Sequence, residues 1–311
     1  MPMKTKSGMG RRRWLVAASA AVLLASCATM AVGQEASWPI RLRQDMTRVI
    51  QVEWRLRSAA GSSCERQATD AGVLFDDRRA YGTRDWPLLQ DVLGMDEAPV
   101  VAAVATGGPA DTAGLRAGDE VLSIGGVPAE DIAAARKAGN LVAEALLAEI
   151  AERPAGVPLA VEVRRGGGAP LRLQLSPVRH CAARLVLVTD RGVDAYSDQS
   201  NVALTTGLVT FARTDDELAL AAGHELAHII NGDRKGGGIS ARRRMEDLAD
   251  ERGLRLLQCA GYDRASALGL FERLGSRDWL GFLRAPTHRS FAKRVERLRQ
   301  TAPSGICPVP R

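Results

Sequence analysis

His224, Glu225 and His228 lie within "HELAH", so two of the chain's four histidines and a carboxylate occupy five consecutive residues. Histidines four apart share one face of a helix, and at that spacing two imidazoles can grip one zinc ion. Glu225 follows the first histidine by one residue and reaches beside such an ion rather than onto it. That is the place for a base that takes a proton from the water attacking a carbonyl. A hydrolytic zinc site needs a third protein ligand and keeps a fourth position open.

The third ligand is not local. One completion places a glycine three residues and a histidine six residues after the second histidine; here those positions are Asn231 and Arg234, which excludes it, and Asp233 is in the wrong phase. The remaining source is a carboxylate on another helix. In "SARRRMEDLADERGLRLLQCAG" (240–261) a helix places Glu246, Ala249, Asp250, Gly253, Leu257 and Ala260 on one stripe. Its acids lie at one end, with small residues where a second helix can come close. Spacing alone leaves Glu246 and Asp250 both open.

The elements that must hold these groups are legible. Residues 214–231 form a well-specified helix: Thr214 and Glu217 make a capping box, Asp215 and Asp216 suit its positive end, and Gly232 suits its terminus. Ser240 is placed to cap the second helix, and the "KGGG" linker (235–238) lets it return antiparallel.

"HELAH" followed by "EDLAD" resembles the gluzincin peptidases of the CAAX-prenyl-endopeptidase and HtpX-like group. The resemblance implies one zinc ion held by His224, His228 and Glu246, with Asp250 orienting a histidine and Glu225 as the base of peptide-bond hydrolysis. "THRSFAKRV" (287–295) is similar to a further segment of that group, with Arg289 in place of its proline. By that likeness His288 donates a hydrogen bond to the oxyanion and Arg294 anchors the active-site carboxylates. "NVALTTGLV" (201–209) resembles the segment that offers an edge strand to substrate. An inactive, chaperone-like peptide-binding protein is the alternative reading; the presence of every expected ligand and of the base argues against it.

Between these parts, "GGPADTAGLRAGDEVLSIGG" (107–126) resembles a PDZ domain of the kind attached to bacterial envelope proteases. Such modules bind an extended peptide at a sheet edge and capture its carboxylate on backbone N–H groups. The apolar-Gly-apolar signature of the capturing loop matches Leu93, Gly94 and Met95. A helix is expected over 133–153, strands over 71–77, 158–165, 170–178 and 184–190, and a strand pair or hairpin over 201–212.

The net charge of +6 is not a nucleic-acid signal. Five basic residues and no acid fall in residues 1–26, and the rest holds 37 basic against 36 acidic residues with no basic, aromatic-interleaved stripe. The basic start and the apolar run "WLVAASAAVLLAS" (14–26) read as a signal sequence. "LASC" (24–27) resembles the bacterial lipobox, which implies acylation of Cys27 and a lipoprotein on the periplasmic side of the envelope, at the outer membrane. The four remaining cysteines are expected as two disulfides, Cys64–Cys181 flanking the inserted module and Cys259–Cys307 tying down the tail.

The whole reads as an α+β chain, a mainly helical peptidase with a small antiparallel sheet and an inserted β-rich module. The expected boundaries are a leader over 1–26, a linker over 27–39, a first part of the peptidase over 40–80, the PDZ module over 85–179, the main peptidase part over 180–303 and a tail over 304–311. Protein or peptide substrates and a membrane reached through Cys27 are the expected partners.

Overall fold

The computed structural model describes residues 37–234, 236–277, 289–302 and 307. Cys27 and His288 lie outside the described residues. Helix α1 (Trp38–Ala60) opens on Pro39, which suits the first turn, and ends at Gly61 with φ 46°. Its inward stripe, Val49, Val52, Leu56, Ala59 and Ala60, is buried at helical spacing. The stripe enters the same core as Leu185, Leu204, Leu218 and Leu226. Arg48 fixes the packing by donating to Asp215 (2.9 Å), the Val209 carbonyl (2.7 Å) and the Ala212 carbonyl (3.2 Å).

Strand β1 (Gln67–Asp70) runs into β2 (Val73–Asp76), then α2 (Trp86–Leu93), β3 (Val100–Val104), α3 (Pro109–Thr112), β4 (Glu120–Ile124) and β5 (Val127–Pro128). Next come α4 (Ala129–Ala135), α5 (Val142–Ala151), β6 (Leu159–Arg164), β7 (Pro170–Leu175) and β8 (Val178–Cys181). A six-stranded antiparallel sheet has the order β2-β3-β4-β6-β7, with β5 on β4. The module therefore starts earlier than residue 85: β2 pairs with β3 and its Val73 and Phe75 lie in the module's own core. The helix expected over 133–153 is two helices. Lys137 (φ 50°) and Gly139 (φ 56°) adopt left-handed backbone between them, which no helix can run through.

The Leu93-Gly94-Met95 expectation is overturned. Gly94 is the left-handed terminus of α2; its N–H donates to the Gln90 and Leu89 carbonyls, and the Met95 N–H donates to the Leu89 carbonyl. These N–H groups close a helix end and are not available to a carboxylate. Met95 is buried with Leu89 and Val100.

β1 pairs with β8, bringing the two ends of the module together, and Cys64–Cys181 forms there with Cα atoms 5.3 Å apart. The chain continues through β9 (Arg184–Val188), β10 (Ala195–Ser197), β11 (Asn201–Thr205), α6 (Thr206–Phe211), α7 (Asp215–Asn231), α8 (Ile239–Cys259), α9 (Arg264–Arg277) and α10 (Phe291–Gln300). Instead of a hairpin over 201–212 there is one strand and one helix, because the Thr205 hydroxyl accepts from the Leu208 N–H and caps α6. β11 is central, parallel to β9 and antiparallel to β10. The edge strand beside α7 is β10, not the 201–209 segment. Cys259–Cys307 is formed, with Cα atoms 5.5 Å apart.

Candidate metal centre

Helix α7 is apolar almost all round, and Leu218, Ala219, Leu220, Ala222, Leu226 and Ala227 are buried. Thr214 accepts from the Glu217 N–H (3.3 Å) at one end, and Gly232 (φ 66°) closes the other. The Glu217 carboxylate reaches back to the Arg213 N–H (2.7 Å) and pairs with Arg273 of α9. A helix so enclosed holds its polar side chains in fixed directions.

Helix α8 crosses α7 in backbone contact. It starts at Ile239 behind Gly238, with no side-chain cap, so Ser240 does not serve the role expected of it. A Cβ on Gly253 would sit 2.7 Å from the His224 nitrogen and 2.8 Å from the Gly223 carbonyl carbon, distances that no side chain tolerates. The small-residue stripe on α8 is what lets the helices approach, and their closeness carries Glu246 to the histidines.

Three donor atoms converge there. His224 Nε2 and His228 Nε2 are 3.3 Å apart, and Glu246 Oε2 lies 3.4 Å from the first and 3.6 Å from the second. Ligands on a tetrahedral zinc ion, with bonds of about 2.0–2.1 Å, stand roughly 3.3–3.4 Å from one another. The far side of each imidazole is fixed by a carboxylate: His224 Nδ1–H donates to Asp250 Oδ1 (2.9 Å) and His228 Nδ1–H donates to Asp233 Oδ2 (2.8 Å). Both Nε2 lone pairs therefore face the Glu246 carboxylate, and three acceptors at this separation require a positive charge among them. The donor set fits a divalent cation.

The electrostatics agree. Burial opposes a charge on His224, but the Asp250 and Glu246 carboxylates outweigh it and raise its pKa to about 9. His228 is raised as well, against its own burial, by Glu246 and Asp233. Burial works against the Asp250 carboxylate, yet His224 and Arg294 bring it down to about 2. Arg294 Nε donates to Asp250 Oδ2 (2.8 Å) from α10, and its guanidinium lies over the Phe271 ring, 4.0 Å from the centroid. Asp250, assigned by resemblance to orient a histidine, is the acceptor of the His224 Nδ1–H.

Glu225 stands apart from the three donors, its Oε1 4.0 Å from His224 Nε2. Its Oε2 accepts from the Ser197 hydroxyl (2.8 Å), which β10 supplies. Ser197 and Asp233 are the groups that sequence reasoning missed. Asp233 carried a signal: a glycine in left-handed backbone turns the chain back on the helix end, and the Asp233 N–H donates to the His228 carbonyl (3.0 Å). Arg289 makes a two-pronged pair with Asp247 (2.7 and 2.8 Å), beside Glu246.

The model of Peptidase family M48 matches residues 176–239, and that of the PDZ domain matches residues 100–140. Residues 176–239, which include His224, Glu225 and His228, thus resemble the M48 metallopeptidases, and residues 100–140 resemble a PDZ domain. The M48 match ends before Glu246, so the third donor is placed by the helix crossing itself. No curated protein matches the chain. Among solved structures, the HtrA-type protease AlgW with decapeptide is 24% identical, at a TM-score of 0.28, over 36% of this chain and 30% of that one. The HtrA3 PDZ domain bound to a phage-derived ligand is 21% identical, at a TM-score of 0.26, over 37% of this chain and 88% of that one. The chain thus spans less than a third of the length of the AlgW chain it matches.

Proposed function

We propose that this metallopeptidase is a zinc endopeptidase of the bacterial cell envelope, with His224, His228 and Glu246 holding one zinc ion. The observation that carries the reading is the triangle of Nε2, Nε2 and Oε2 atoms at 3.3, 3.4 and 3.6 Å. Bound there, zinc supplies Lewis acidity toward a carbonyl oxygen and lowers the pKa of water. Glu225 takes the proton of the attacking water and delivers it to the leaving nitrogen. Ser197 holds the Glu225 carboxylate in one orientation, while Asp250 and Asp233 keep both imidazoles in the tautomer that offers Nε2. Exposed Tyr196 and its neighbours on the edge strand β10 are placed to pair with an extended substrate backbone. His288 is assigned to the oxyanion and Cys27 to a lipid anchor.

Envelope placement is supported by the leader-like residues 14–26, by "LASC", and by two disulfides, which persist in oxidising compartments. The inserted PDZ domain binds peptide or protein and brings substrate to the site. Glu225→Gln tests the mechanism: the purified, zinc-loaded variant is expected to lose at least a hundredfold in cleavage of an unfolded protein, general-base catalysis contributing about 10²–10⁴-fold. Cleavage at the wild-type rate refutes it. Fractionation of cells carrying Cys27→Ser, with release of the protein from membranes as the expected result, tests the anchor.

A further inference from the structure

A cavity of about 180 Å³ lies between α1, the β1–β2 turn and α5, where the inserted module meets the peptidase core. Ile50, Trp54, Leu147 and Ile150 give it apolar walls, and Val73 of β2 lines it. β2 is the outer strand of the six-stranded sheet. An outer strand bordering a slot is the arrangement by which a sheet takes up an extended peptide, with backbone on the edge and one side chain in the slot.

The charges in the cavity select that side chain. Glu53, Asp70 and Glu144 face Arg57 and Arg184, three carboxylates against two guanidiniums. Both cations are committed: Arg57 donates to Glu53 Oε1 (2.9 Å), to Asp70 Oδ2 (2.7 Å) and to the Cys181 carbonyl (2.7 Å), and Arg184 donates to the same Glu53 Oε1 (3.0 Å). Glu53 Oε2 receives nothing, although the residue is only 3% exposed. A buried carboxylate oxygen without a donor is costly and requires a partner. Glu144 is exposed on α5 at the same cavity. An incoming carboxylate meets net negative charge and no uncommitted cation; an incoming ammonium meets an unserved oxygen, a second acid and apolar walls for its methylenes.

We propose that this cavity is a binding slot for a lysine side chain of an extended peptide laid along β2, its ammonium pairing with Glu53 Oε2 and Glu144. The slot makes the inserted module a reader of internal basic residues rather than of a free chain terminus. It does not depend on the metal or on Glu225.

Calorimetry on the full chain carrying Glu225→Gln, which leaves the peptides uncut, tests the slot. The probes are acetyl-Ala-Val-Lys-Val-Ala-amide, the same peptide with norleucine for lysine, and acetyl-Ala-Val-Ala-Val-Ala with a free carboxylate. The lysine peptide is expected to bind about tenfold more tightly than the norleucine peptide, the effect of a hydrogen-bonded charge. Glu144→Gln, at an exposed position, is expected to narrow that gap several-fold, and Ala148→Trp, which fills the cavity from the α5 residue lining it, to abolish binding. Equal binding of lysine and norleucine, tighter binding of the free-carboxylate peptide, no binding of the lysine peptide, or undiminished binding to the Ala148→Trp protein each overturns the proposal. Because no arm reads catalysis, an inactive zinc site and an empty slot give separate results.

Discussion

The Ser197 hydroxyl donates to Glu225 Oε2 at 2.8 Å, joining the edge strand of the small sheet to the carboxylate beside the two histidines. Strand and helix are far apart in sequence, and only the fold makes this contact. It leaves Glu225 Oε1 as the oxygen on the His224 side.

Ser197→Ala is expected to lower kcat about tenfold, the worth of one hydrogen bond to a charged group. Zinc affinity should stay within about twofold, since Ser197 touches none of the three donors, and Ser197→Thr should restore most of the rate. Steady-state kinetics with a parallel chelator competition separates these effects. An unchanged kcat would show that the contact does not position Glu225.

Asp233→Asn and Asp250→Asn remove the acceptors that fix the imidazoles. Each is expected to weaken zinc binding by roughly 10–100-fold, the usual cost of losing such a partner. Asp250→Asn should cost more, because it also leaves Arg294 buried without its ion-pair partner. Competition against a chromogenic chelator at fixed pH reads both.

Gly253→Ala puts a Cβ into the His224 backbone. The helices must part, at a cost of about 1–3 kcal/mol or more, and Glu246 moves away from the histidines. Urea unfolding is expected to show the loss of stability, and zinc titration a loss of affinity out of proportion to it. The same substitution at Gly232, where nothing lies within 4 Å, loses only what the positive φ demands.

Asp70 gives the stability a signed pH dependence. Burial opposes its charge, but Arg57, His180 and the Gly72 N–H together hold its pKa well below the usual carboxylate range. A folded-state pKa below the unfolded one stabilises the protein in full above the unfolded value, and the contribution fades as pH falls through about 4 toward the folded pKa. Urea midpoints taken between pH 6 and pH 3 should fall for the wild type and fall less for Asp70→Asn, which is already weaker at pH 6. Parallel curves would assign the acid limb to other carboxylates.

The half of the site on α7 was legible because its spacing, caps and burial come from one continuous helix. Glu246 and Asp250 were legible as a pair, but the choice between them depends on where α8 crosses α7, which Gly223 and Gly253 set and local spacing does not. Ser197 left no trace in the sequence: a serine in a short strand is ordinary, and the contact exists only through sheet order. The Leu93-Gly94-Met95 signature misled because an apolar-Gly-apolar triplet also ends helices, and the α2 stripe that would have revealed one is only eight residues long. The β2 strand was read correctly and assigned to the wrong module, since alternation marks a strand without naming its partner.

The buried Cys64–Cys181 bond also changes what a cut in the chain would do. It closes residues 64–181 into a ring, so a protease that nicks any turn of the inserted module opens the ring without dividing the molecule. The first helix stays tethered to the strands and helices that follow, and the donors on α7 and α8 keep their support.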